Sequence, residues 1–102
     1  KELFKSDRIV ILFGSTIKDY AHARDIDIMI VLENRDIKEV NNILKKKEEI
    51  LPKKLHTIKL NHQDLLDNLK NKDKAFIDII KNAIILYGQD KYVEALKNVA
   101  GL

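Results

Sequence analysis

Asp25 and Asp27 stand one residue apart at the head of an apolar run, and Gly14-Ser15 closes another apolar run ahead of them. On a strand, residues two apart share a face, so both carboxylates would project from the same side. Paired that way they can share divalent cations. Mg²⁺ takes one or two protein carboxylates and completes its shell with phosphate oxygens. In two-metal sites such ions clamp the attacking and leaving oxygens of a displacement at phosphorus. Gly14 lets backbone come close to a phosphate, and a helix starting just after it would offer unpaired N–H groups. The Ser15 hydroxyl adds a donor. Each half has an ordinary reading alone: Gly-Ser is a common turn and cap, and Asp-x-Asp at the head of a strand is often a solvated edge. On two neighbouring strands the halves make one phosphate-and-metal site.

The elements that must position these residues follow from the pattern of apolar side chains. Arg8-Ile9-Val10-Ile11-Leu12-Phe13 is a continuous β-branched and aromatic run, read as a buried strand ending at Gly14. Residues 16–23 read as a short helix or turn, with Ser15 as its cap. Residues 25–32 form the second strand, with Ile26, Ile28, Ile30 and Leu32 on one face and Asp25, Asp27, Met29 and Val31 on the other. After a turn at 34–36, Ile37, Val40, Ile43, Leu44 and Leu51 make a helical stripe. Asp36 and Glu39 have the spacing of a capping box, and Pro52 stops the helix. The Lys45-Lys46-Lys47-Glu48-Glu49 run reads as a solvated face. A nucleic-acid contact is the weaker reading there, since no aromatic residues are interleaved.

Residues 54–60 alternate as a third strand, with His56, Ile58 and Leu60 on one face. Asn61, with Asp64 three residues on, caps the next helix, and Asp73 caps another. We read residues 76–86 as one core helix ended by Tyr87-Gly88, and residues 91–99 as a last helix. The order is strand, short helix, strand, helix, strand, helix, helix. It implies an α/β or α+β domain, a small sheet with flanking helices, and one domain over residues 1–102.

Composition narrows the class. With no cysteine, disulfides and thiolate metal sites are excluded. No apolar run reaches the ~20 residues of a membrane-spanning helix, and nothing resembles a signal peptide, so a cytoplasmic protein is expected. The chain opens on Lys1 rather than Met, so trimmed ends are expected. The net charge of +3 from 19 basic and 16 acidic residues is a weak bias toward anions and argues against a nucleic-acid protein.

Gly14-Ser15, a spacer, then Asp25-Ile26-Asp27 before an apolar run resembles the signature of the polymerase β-type nucleotidyltransferase superfamily. The nearest likeness is to its small single-domain prokaryotic members, the minimal nucleotidyltransferases often encoded beside a helical HEPN-type protein. Leu55-His56-Thr57-Ile58 is similar to that family's third strand, and residues 79–88 to its C-terminal helix ending. The resemblance implies the nucleotidyltransferase fold, a small mixed sheet with flanking helices. It also implies transfer of a nucleoside monophosphate from ATP or another NTP to a hydroxyl. Carried over by position, Gly14 and Ser15 would hold the triphosphate and Asp25 and Asp27 would bind Mg²⁺. The acceptor would lie on a partner, a HEPN-type helical protein in an antitoxin role, and a homo-oligomer is also among the expectations.

Several positions depart from the family pattern. The spacer is one residue short. Lys18 and Asp19 stand where the family often has Arg and Gly, and Arg24 stands where Ser commonly precedes the first acid. Lys18 and Arg24 are candidate phosphate contacts or plain surface residues. His56 occupies the third strand where active members place a third acid, so it is a candidate metal ligand or base or an ordinary strand histidine. Asp64 reads as a helix-start residue. A catalytically impaired nucleotide- or partner-binding module of the same fold is the alternative function.

Overall fold

The computed structural model describes residues 2–5, 7–14, 19 and 21–101. The two apolar runs lie side by side at the middle of a four-stranded mixed sheet of order β3-β2-β1-β4. Strand β1 (Ile9–Phe13) pairs antiparallel with β2 (Asp25–Val31), from Ile9 opposite Val31 to Phe13 opposite Asp27. Strand β3 (Lys54–Leu60) lies parallel to β2, with Asp27 opposite His56. Strand β4 (Ile84–Tyr87) lies antiparallel to β1 at the other edge.

The helices split between the two faces. A 3₁₀ turn (Asn34–Asp36) leads into α1 (Ile37–Ile50). Its Val40, Ile43 and Leu44 pack with Val10, Ile28, Ile30 and Leu32 on one face. Helices α2 (His62–Asn71), α3 (Lys74–Ile80) and α4 (Gln89–Ala100) cover the other, over Ile9, Ile11, Phe13, Met29 and Val31. Strand β1 carries apolar residues at every position because both of its faces are covered, and Ile9, Val10 and Ile11 are fully buried. Strand β2 is half-buried at its acidic end and buried from Ile28 onward. Each face of β2 goes to a separate core cluster, as its alternation requires.

Local signals explain most boundaries. Asn61 and Asp64 form a reciprocal capping box on α2, and the Asp73 side chain accepts from Phe76 N at 2.9 Å to start α3. Helix α1 ends at Ile50, and Leu51 turns extended ahead of Pro52. The spacing of Asp36 and Glu39 does not make a capping box: Asp36 makes no side-chain cap bond. Instead Glu39 Oε2 accepts from Arg8 Nη2 at 2.7 Å, and Asp36 Oδ2 lies 3.8 Å from Arg8 Nε. The buried Arg8 guanidinium draws both acids away from the helix start.

The helix expected over residues 76–86 is two elements. Helix α3 ends at Ile80, and Ile84-Ile85-Leu86-Tyr87 forms β4. A run of adjacent apolar residues fits a half-buried strand as well as a helix, and an open edge of β1 decides for the strand. Gly88 therefore does not close a helix but turns the chain from β4 into α4, at φ 82°. A side chain there would collide with the Arg8 carbonyl, so the residue ties β4 to the start of β1. The final helix runs slightly longer than expected, over Gln89–Ala100.

Candidate functional site

The strand pairing brings the predicted acids and glycine to one end of the sheet. Phe13 lies opposite Asp27 across β1 and β2, so the chain leaves β1 at Gly14 directly over the Asp27 side chain. Gly14 has φ 73°, and a Cβ there would overlap the Asp27 carboxylate at Oδ2. Glycine at this position thus meets two demands, left-handed backbone and close approach.

On the other side of Asp27, the parallel register sets His56 beside it. His56 Nδ1 donates to Asp27 Oδ1 at 2.9 Å. The His56 side chain is 59% exposed while that of Asp27 is 16% exposed. Asp27 is therefore gripped between a backbone cradle and an imidazole at the mouth of the sheet. Asp25 is two residues away on the same strand and hence on the same face, and it is half-buried.

The segment preceding Asp25 is also held. His22 and Ala23 N–H groups donate to Asp19 O at 3.3 and 3.0 Å, and the Asp19 carboxylate pairs with His22 Nδ1 at 2.6 Å. Lys53, just before β3, donates from Nζ to Ala23 O at 2.6 Å. Sequence reasoning gave Lys53 no role, and its signal was a base placed right after the helix-stopping Pro52. Arg24 is exposed beside the acids. Ser15, Lys18 and most of the short helix expected over 16–23 lie outside the described residues.

The donor set suits a divalent cation carrying a nucleotide. Two carboxylates on one strand face are the protein share that Mg²⁺ takes when phosphate oxygens supply the rest. Among the described residues no group of three or more His, Cys, Asp or Glu side chains is arranged to hold a metal by itself. A groove lined by Asp7, Glu33, His62, Leu65 and Lys91 opens at the opposite end of the strands and contains none of these residues.

An antiparallel strand pair that delivers a glycine corner against an Asp-x-Asp head, with a parallel third strand alongside and helices on both faces, makes an α+β domain. The polymerase β nucleotidyltransferase family model matches residues 1–92, and the chain belongs to that family. The reaction class at the level of the superfamily is nucleotidyl transfer. No curated protein matches the chain, and no solved structure does either. Among the described residues no helix is long and apolar enough to cross a membrane.

Proposed function

We propose that this chain transfers a nucleoside monophosphate from ATP, in a Mg²⁺-dependent reaction, to a hydroxyl on a partner macromolecule. The observation that carries the reading is Asp27, held between Gly14 and His56, with Asp25 on the same strand face. Asp25 and Asp27 would hold Mg²⁺, which when bound offsets negative charge on the triphosphate. Gly14, with Ser15 after it, would seat the phosphates.

In the reaction the acceptor oxygen bonds to the α-phosphorus and the bond to the β-phosphate oxygen breaks. Pyrophosphate leaves, and the hydroxyl proton passes to a base. His56, exposed beside Asp27, is the base we propose for that last role. Because a carboxylate only accepts, Nδ1 carries the proton toward Asp27, and Nε2 is then the nitrogen that can take another. The exposure of His56 supports an acceptor presented from outside, and a helical HEPN-type protein is the partner we propose.

The test is incubation with α-labelled ATP, Mg²⁺ and the candidate partner. Label on the partner and released pyrophosphate are expected, both lost on Asp25→Asn/Asp27→Asn. Mg²⁺-dependent ATP binding with no pyrophosphate from any acceptor would favour a second reading, a nucleotide-binding module that has lost turnover. That reading is supported by His56 standing where a third acid would otherwise lie beside Asp27.

A further inference from the structure

Helix α4 has two apolar sides, and the fold uses one. Tyr92, Ala95 and Val99 pack onto the core. Gln89, Val93, Leu96 and Ala100 follow each other at spacings of four, three and four residues and are all exposed. Such spacing lines up side chains along a helix as a seam for another helix. Val93 and Leu96 are 46% and 40% exposed. Helix α2 does not cover them: it meets α4 on the other flank, where Lys91, Ala95 and Asn98 share a groove with His62, Leu65 and Leu66. Helix α4 rests on β1, with β4 the last strand beyond it. The seam therefore faces outward past the sheet edge.

The charges beside the seam name what fits it. Asp90 and Lys97 are two turns apart, and both border a groove lined by Val93 and also by Glu94. At about 100° per residue, Glu94 stands further round the helix from the seam than Asp90 or Lys97. An acid toward one end and a base toward the other make the face complementary to itself when two copies run antiparallel, and repulsive to itself when they run parallel. With a two-fold axis midway between Val93 and Leu96, Asp90 of one copy and Lys97 of the second differ by about 3 Å along the helix axis. That is within reach of a lysine side chain, and symmetry forms the pair twice.

We infer that α4 packs antiparallel against α4 of a second copy of this chain, closing the Val93–Leu96 seam between two Asp90–Lys97 pairs. The dimer leaves Asp25, Asp27 and His56 outside the interface, so it stands apart from the proposed catalytic reading.

Sedimentation equilibrium of the 102-residue chain from micromolar to near-millimolar concentration tests this. A monomer–dimer equilibrium is expected. Asp90→Lys sets Lys against Lys twice and should weaken dimerisation about tenfold or more, and Lys97→Glu should do the same. The double variant Asp90→Lys/Lys97→Glu restores opposite charges and should restore the dimer. Val93→Asp should abolish it. All of these positions are exposed, and circular dichroism verifies folding of each variant. A wild-type chain that stays monomeric throughout would overturn the proposal. So would a dimer indifferent to Asp90→Lys and Val93→Asp, or one that the double charge swap fails to restore.

Discussion

Two acid–base pairs of similar length hold opposite positions in this molecule. His56 and Asp27 meet at 2.9 Å at one end of the sheet, and Arg8 and Glu39 at 2.7 Å near the other. In the first the base is exposed and the acid mostly buried; in the second the base is 1% exposed and the acid 43% exposed. Arg8 is always charged. Once buried it needs partners: Glu39 and the Glu2 carbonyl accept from its terminal nitrogens, and Asp36 adds a longer ion pair at 3.8 Å from Nε. That pair ties α1 and the N-terminal segment to β1. Asp27 has no such need. Met29 and Val31 continue its face as core residues, and an apolar side chain at position 27 would extend that core. An acid at the end of an apolar strand face is the feature on which the proposed site rests.

The contrast can be broken at either pair. Arg8→Ala should cost the most stability, about 3 kcal/mol, at the low end for a broken buried pair because Glu39 can turn to water. Urea unfolding measures it, and nucleotide binding by the folded fraction should be unchanged. His56→Ala should do the reverse. Turnover should fall about 100-fold, as for loss of a general base, while stability moves by less than about 1 kcal/mol because the pair is open to solvent. Single-turnover kinetics and urea melts on one preparation separate the two effects.

Gly14→Ala should cost about 1–2 kcal/mol from its left-handed backbone. It should also weaken nucleotide binding by displacing the Asp27 carboxylate that a Cβ would overlap. A stability loss with unchanged binding would mean that the cradle is structural.

The smallest effect belongs to acid pH. Hydrogen bonds from Lys5 and then Arg8 hold the Glu39 carboxyl below its ordinary value of 4.5. A carboxyl lowered in the folded state binds its proton more readily when unfolded. Its contribution is therefore complete above 4.5 and is lost as pH falls through the lower folded value. Glu39→Gln should flatten the acid limb of stability against pH below 4.5 and leave the slope near neutrality alone.

The sheet centre and the strand ends that carry the candidate site were legible because both depend on local signals. Alternation in β2 told which face the acids share, and the ends of the apolar runs told where Gly14 and Asp27 stop being core. The pairing of His56 with Asp27 needed the parallel register of β3, which no local pattern states. Strand β4 was misread because Ile84-Ile85-Leu86-Tyr87 suits helix and strand equally, and only the open edge of β1 selects one. Arg8 looked like the polar start of a strand. Its burial depends on acids that follow it by 28 and 31 residues, Asp36 and Glu39.

The central claim is that Asp25 and Asp27 form a metal-dependent nucleotide site. Titration calorimetry of ATP into the chain, with Mg²⁺ and then with chelator, compared with Asp25→Asn/Asp27→Asn, tests it most directly. Binding that requires Mg²⁺ and disappears in the folded double variant is the predicted result. Equal affinity in wild type and variant, or binding indifferent to the metal, would contradict it.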